Sequence, residues 1–392
     1  MSESKTLAAR WIAIPDQPPI ESGVLEIAQG KIVNVERRRG QSVDQDFGDA
    51  IVLPGFVNAH THLDLTGATN LTPPRLPFPD WLRDVIAYRR SRSAEQSVGD
   101  IETGIRQSLV SGTTLLGDIS SAGASWNAID ASSLKAVVFH ELLGLIPDRA
   151  DAAIASAKEW LSSHLATARI RPGLSPHSPY SFRFDRLAEL VQIKLPIAIH
   201  VAESLDELDL IAEHAGEFVP FLEELGVWDS TGLPALDGTV HPLQTAERLL
   251  FIHGNYLPGD AAIPTNATMV YCPRTHAAFD HPLHPFRDWL DRGIRVALGT
   301  DSLASNPDLS ILAEARFVFS EHPDLVPTTL LDMISRNGAI GLGFPDCGAI
   351  APGMTADLCV IPVPTSCQNP LESIFQETTN VQFVFSDGGQ VV

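Results

Sequence analysis

Eight short apolar runs of β-forming residues, at 51–59, 113–119, 136–141, 170–175, 197–201, 250–253, 269–272 and 294–299, constrain the fold of this chain more than any other feature. Most are separated by stretches with helical periodicity, and eight is the strand number of a closed parallel barrel. Ile101, Ile105 and Leu109 recur every four residues before Gly112, which can end that helix in a left-handed turn. Ser204 and Glu207 have capping-box spacing, with Leu205, Leu208 and Ile211 as the expected apolar face. Phe286, Trp289 and Leu290 form a similar face ahead of Gly293. The expected fold is α/β, a (β/α)8 TIM barrel over residues 51–346.

Residues 1–50 and 347–392 fall outside that barrel. Their short β-type runs, at 23–27, 31–35, 357–361 and 381–385, alternate with Gly and Asp turns and are expected to pair into one small sheet. Both ends of a barrel chain lie on its outside, so a second domain can draw on both termini. Residues 63–112 are too many for a simple connecting helix, which suits a lid or pocket wall.

Composition removes several functions. A chain of 392 residues with 44% hydrophobic content can bury a large core. Its 27 basic against 48 acidic residues give a net charge of −21, which repels nucleic acid and anionic membrane, so neither is an expected partner. The four cysteines form no C-x-x-C pair and no disulfide framework, which suits a reducing compartment. The start, MSESKT, lacks an apolar signal core, and no run approaches about 20 apolar residues. A cytoplasmic protein is expected.

Several runs end in residues that bind metal. In PGFVNAHTHL (54–63), His60 and His62 are spaced i, i+2, so on a strand both rings point to one side. A bare His-x-His is weak evidence, but three further runs end in the same way. IAIHVAE (197–203) delivers His200 with Glu203 three residues later, LFIHGN (250–255) delivers His253, and IRVALGTDS (294–302) delivers Asp301. An αβ barrel builds its active site at the carboxyl ends of its strands, so these four hits support one another as a metal site.

These segments resemble the amidohydrolase superfamily over nearly the whole chain, in its branch of mononuclear aminohydrolases acting on nucleoside-like and heterocyclic amines. The markers are PGFVNAHTHL (54–63), SPHSPYS (175–181), HVAES (200–204), HGNYL (253–257), CPRTH (272–276), GTDSLASN (299–306) and TADLCVI (355–361). The resemblance implies a barrel flanked by a composite β-sandwich. It also implies one divalent ion held by His60, His62, His200 and Asp301, zinc first, with iron, manganese or nickel admitted by such an N/O ligand set. The run 170–175 has no lysine of the kind dinuclear branches carboxylate, so a single metal is consistent. FPDWLRDVIAYRR (78–90) and SGTTLLGDISS (111–121) resemble aminodeoxyfutalosine deaminases of an alternative menaquinone pathway, with S-adenosylhomocysteine, methylthioadenosine and adenosine deaminases as the close alternative. CPRTH departs from relatives that carry Ser-Asn after Cys-Pro, which places His276 in the substrate question.

Within that chemistry a bound divalent ion lowers the pKa of a water towards neutrality. Attack by that water on an amine-bearing ring carbon must be matched by protonation of a ring nitrogen, a task for Glu203. Its plainer reading is a helix-start carboxylate. Asp301 would take the proton leaving the water. His253 would orient that water or act as a direct ligand, and the sequence leaves both open. His177 resembles a position that contacts substrate hydroxyls, or else it stabilises a loop between two prolines. Trp81 either stacks on the substrate ring or joins the core with Leu82 and Val85. Ser302 and Asn306 either reach substrate or cap a turn. His281 and His284, between prolines, read as surface punctuation, and His140, His164, His214, His241 and His322 as structural. The expected partner is a small heterocyclic amine, with a homodimer by analogy with relatives. The rival readings are another aminohydrolase of guanine, pterin or triazine type, and a catalytically inactive barrel scaffold.

Overall fold

A computed structural model describes residues 4–71, 73–234 and 241–392, without the side chains of residues 241 and 242. The expectation for His241, and the first three residues of the amino-terminal reading, therefore lie outside the described residues. Eight consecutive parallel strands form one sheet: Phe56–Thr61, Thr113–Ser120, Lys135–Leu142, Ile170–Pro176, Ile197–Val201, Leu249–His253, Ala267–Tyr271 and Val296–Leu298. A parallel bridge between Thr61 and Asp301 brings the eighth strand's end back to the first. Thr113–Ser120 and Lys135–Leu142 are buried at every residue, because barrel strands face side chains on one side and helices on the other. That double burial is why they read as continuous apolar runs.

The run at 51–59 is two strands, not one. Ala50–Pro54 belongs to the second sheet, and the barrel begins at Phe56. Gly55 makes the break: a Cβ there would lie 2.3 Å from Thr114 Oγ1, so only glycine lets the chain cross so close to the second barrel strand. The second sheet also contains Lys5–Ile12, which the sequence does not single out because Leu7, Ala8 and Ala9 are buried in succession and leave no two-residue alternation. Its strands come from both chain ends, with Ala50–Pro54 antiparallel to Leu358–Pro362 and parallel to Lys5–Ile12. The sheet folds on itself. Ala356 N donates to Gly30 O, Gly388 N to Ala356 O, and Phe47 meets Phe383 and Phe385, closing a core of Leu7, Ile12, Leu25, Val52 and Leu358. This is the small terminal sandwich. Lys135, at the start of the third barrel strand, fastens it through a buried 2.8 Å ion pair with Asp357.

Capping decides where two helices start. Ser93 accepts from Gln96 N while Gln96 bonds back to Ser93 N, which starts the helix Ala94–Val110, and Gly112 follows it at φ +96°. The helix Leu205–Glu213 departs from expectation. Ser204 caps it by accepting from Glu207 N, but the buried face is Glu207, Leu210 and Ile211, and Leu205 is 56% exposed. A carboxylate occupies the inward position because two backbone donors need it, as described below. Among the described residues, no helix is long and apolar enough to cross a membrane, and the four cysteines are buried and unbridged.

Candidate active site

The carboxyl ends of the first, fifth, sixth and eighth barrel strands meet. One donor atom each from His60, His62 and His200 lie within 4.8 Å of one another, and so do those of His60, His253 and Asp301. Asp301 Oδ1 is 3.3 Å from His60 Nε2 and 3.6 Å from His62 Nε2. A tetrahedral shell with bonds of about 2.0–2.2 Å requires neighbouring donors about 3.3–3.6 Å apart. The two Asp301 spacings match that edge, and the remaining donors lie close enough to be candidates for the same ion. Buried Nε2 atoms of His60 and His253 make no hydrogen bond to protein, an expense that a bound cation would offset.

Protonation states agree with that fit. Burial, followed by repulsion from His60, holds His62 well below the usual histidine range, and burial with His177 and His60 does the same to His200. Both rings are neutral, as ligands must be. His200 Nδ1 lies 2.9 Å from the carbonyl of His177, so its proton sits there and Nε2 is free. Burial pushes Asp301 up, but the neighbouring imidazoles of His60, His253 and His62 prevail and hold its carboxyl below the usual range.

Glu203 stands beside this cluster, 5% exposed, with Oε1 3.3 Å from His253 Nε2. Burial first, then the negative charges of Asp301 and Glu207, push its carboxyl well above the usual range. A carboxyl kept protonated can donate a proton. Three strand-end residues here adopt left-handed backbone: Ala202 at φ +48°, His253 at φ +65° and Asp301 at φ +58°. Each costs about 1–2 kcal/mol for a residue other than glycine, and buried side chains hold all three. Glu207 accepts from Ala202 N, and His284 Nε2 donates to His253 O. Ser305 Oγ donates to Asp301 Oδ2, while Asn306 Nδ2 donates to Thr300 O.

A cavity of about 360 Å³ opens above the cluster, within the range of small-molecule sites. His62, His177, His200, Glu203, Asp301 and Ser302 line its floor. Its wall comes from the helix Phe78–Ser91 in the long connection after the first barrel strand, through Phe78, Trp81, Leu82, Val85 and Ile86. Trp81 is both wall and core, packed on Phe78 and Phe279. His177 stacks on His200 at 4.2 Å, and its Nδ1 lies 2.8 Å from Glu141.

Asn306 does not fit its expected substrate contact. Its Nδ2 is committed to Thr300 O and Glu314 Oε1, both at 2.6 Å, and it does not line the cavity. Glu314 in turn binds Arg274 of the CPRTH segment, so this buried network braces the loop after Asp301. His284 is not surface punctuation either. It is buried, stacks on Tyr271 at 3.9 Å and supports His253 from behind. His276 sits in the same layer, against Tyr271 and His284. His140, His164, His214 and His322 do not line the cavity.

Sequence reading missed the charged group formed by Arg89, Asp64 and Glu141. Arg89 is 3.0 Å from Asp64 and 3.4 Å from Glu141, and 3.4 Å from His62 Nδ1. Glu141 was legible as a carboxylate ending the third strand run. Arg89 stands in the 78–90 segment, where nothing marks it apart from the neighbouring arginines.

A model of the amidohydrolase family matches residues 51–391. The chain is 28% identical over 350 residues to a 5-methylthioadenosine/S-adenosylhomocysteine deaminase of Carboxydothermus hydrogenoformans, covering 84% of this chain and 76% of that protein. It is 27% identical to an aminodeoxyfutalosine deaminase of Nitratiruptor, covering 88% and 87%. Among solved structures, Helicobacter pylori aminofutalosine deaminase in complex with methylthio-coformycin has the same fold, with a TM-score of 0.87 at 24% identity, covering 99% of this chain and 100% of that one.

Proposed function

We infer what this chain does from two findings: it belongs to the amidohydrolase family, and its converging imidazoles, aspartate and buried glutamate face a cavity suited to a small molecule. It is a hydrolase acting on carbon–nitrogen bonds, a metal-dependent deaminase that releases ammonia from the exocyclic amine of a purine-like nucleoside. The observation that carries this reading is the buried Glu203 carboxyl, 3.3 Å from His253 Nε2 beside the cation-binding donors, where burial raises it above its usual range.

His60, His62, His200 and Asp301 would hold one divalent ion, zinc first. When bound, the ion supplies Lewis-acid activation of water at neutral pH. Asp301, kept ionised, accepts the proton that the attacking water loses. His253, pulled down to about 3 by burial, is neutral and orients that water by hydrogen bonding. Glu203 gives its proton to the ring nitrogen next to the reacting carbon, which keeps negative charge off the heterocycle. The proton taken up by Asp301 then reaches the departing amine through Glu203, ammonia leaves as the carbonyl forms, and the remaining proton of the added hydroxyl restores Glu203. Trp81 stacks on the ring, and His177, held by Glu141, faces the sugar hydroxyls with Ser302 beside it.

Aminodeoxyfutalosine is the first substrate proposed, which would place the reaction in menaquinone synthesis. S-adenosylhomocysteine and methylthioadenosine form the second reading. Arg90 and Arg149 line the cavity, and neither has an acidic partner among the described residues. That favours an anionic far end over uncharged methylthioadenosine. Ammonia release from a panel of aminodeoxyfutalosine, S-adenosylhomocysteine, methylthioadenosine and adenosine tests the reading. Turnover of at least one substituted nucleoside is expected, and no turnover of any adenine derivative would sink it.

A further inference from the structure

We propose that Glu207 is a positioning residue for the deamination reaction, acting through Glu203 by gripping the peptide units that carry it. This rests on the proposed role of Glu203. Glu207 is 1% exposed, and its two oxygens accept from successive backbone N–H groups, Oε1 from Ala202 and Oε2 from Glu203, each at 2.9 Å. A capping-box glutamate would instead bond back to the cap residue, Ser204, which here only receives Glu207's own N–H. On the other side, Asn255 Nδ2 donates to Glu203 O at 2.9 Å. Glu203 is thus held by its N–H and by its C=O, while the preceding Ala202 stays at φ +48°.

The left-handed turn at Ala202 swings Glu203 out of line with the fifth strand and towards the cation-binding donors. Alanine does not stay in that conformation unaided. Water cannot replace the clamp, because Ala202, Glu203 and Glu207 are all buried. Only a carboxylate supplies two acceptors at this spacing. A glutamine offers one oxygen and turns its NH2 against the other N–H. This also explains why the helix Leu205–Glu213 turns Glu207 inward and leaves Leu205 exposed.

The test is Glu207→Gln in the full-length, metal-loaded chain. Amide hydrogen exchange at Ala202 and Glu203 should be slow in the wild type and at least tenfold faster in E207Q, a readout independent of any substrate. On whichever nucleoside the wild type deaminates, kcat should fall at least tenfold, with KM within about threefold and metal content unchanged. In a Glu203→Gln background, E207Q should lower kcat less than twofold further, because its effect passes through Glu203. If E207Q does not fold, Asn255→Ala releases residue 203 at its carbonyl, in the next peptide unit, and carries the same expectations for kcat, KM and the Glu203→Gln background. Unchanged exchange, a kcat within twofold of wild type, or a full multiplicative loss in the Glu203→Gln background would overturn the proposal. A wild-type chain that deaminates nothing while its exchange pattern holds would instead count against the deaminase reading.

Discussion

Replacing Glu203 by glutamine separates an acid catalyst from an ordinary helix-start carboxylate by magnitude alone. The substitution is nearly isosteric, and the backbone of residue 203 stays fixed by Glu207 and Asn255. What it removes is a transferable proton at a site 3.3 Å from His253 Nε2. Losing general acid–base catalysis costs about 10²–10⁴ in rate, or about 2.7–5.4 kcal/mol. Were Glu203 only a carboxylate favoured by the helix dipole, the loss would be about 0.3–1 kcal/mol of stability, with turnover by the folded enzyme close to wild type. The two outcomes do not overlap. The measurement is kcat/KM for ammonia release with metal content determined on the same sample. Because burial, Asp301 and Glu207 raise the Glu203 carboxyl, the working form is protonated, and wild-type activity falls as pH rises through that raised pKa. E203Q should lack this alkaline fall. A loss below tenfold with full metal content would refute the assignment.

Three further outcomes follow from buried charges. Glu314→Ala leaves Arg274 paired with Asp308 but takes the acceptor from Arg274 Nε and the buried Asn306 Nδ2, and should cost about 1–3 kcal/mol in denaturant unfolding, with weaker metal retention as the loop after Asp301 loosens. Lys135→Met strands Asp357, whose side chain is fully buried, and should cost about 3–5 kcal/mol in the same assay by weakening the hold of the terminal sheet on the barrel. Asp118 is pushed up from 3.8 to about 7, chiefly by burial. The unfolded carboxyl ionises above about pH 4 and the folded one only near 7, so stability should fall by up to about 4 kcal/mol across that window, a fall absent from Asp118→Asn when urea midpoints are compared.

The barrel was legible because its strands are buried on both faces and need no partner to declare themselves. The residues that converge at the barrel mouth were legible for a related reason. A histidine or aspartate ending such a run, as at His60, His62, His200, His253 and Asp301, has nowhere to go but the barrel mouth. Short-range logic failed wherever a polar side chain served a distant backbone. Asn306 looked like a substrate contact and instead holds Thr300 O and Glu314, and His284 looked like a loop residue and holds His253 O. Helical spacing chose Leu205, Leu208 and Ile211 as the inward face, but the demand of two backbone donors turned Glu207 inward. Arg89 and Glu141 pair across 52 residues, and no local pattern records that meeting. The split at Gly55 escaped notice because apolar residues continue on both sides of it.

Metal content per chain tests the central claim most directly. Purified wild-type protein should hold about one equivalent of a divalent ion by elemental analysis, and His200→Ala should hold far less while retaining its fold. Wild-type protein without a stoichiometric ion after loading, or a His200→Ala chain that binds it as tightly, would contradict the account.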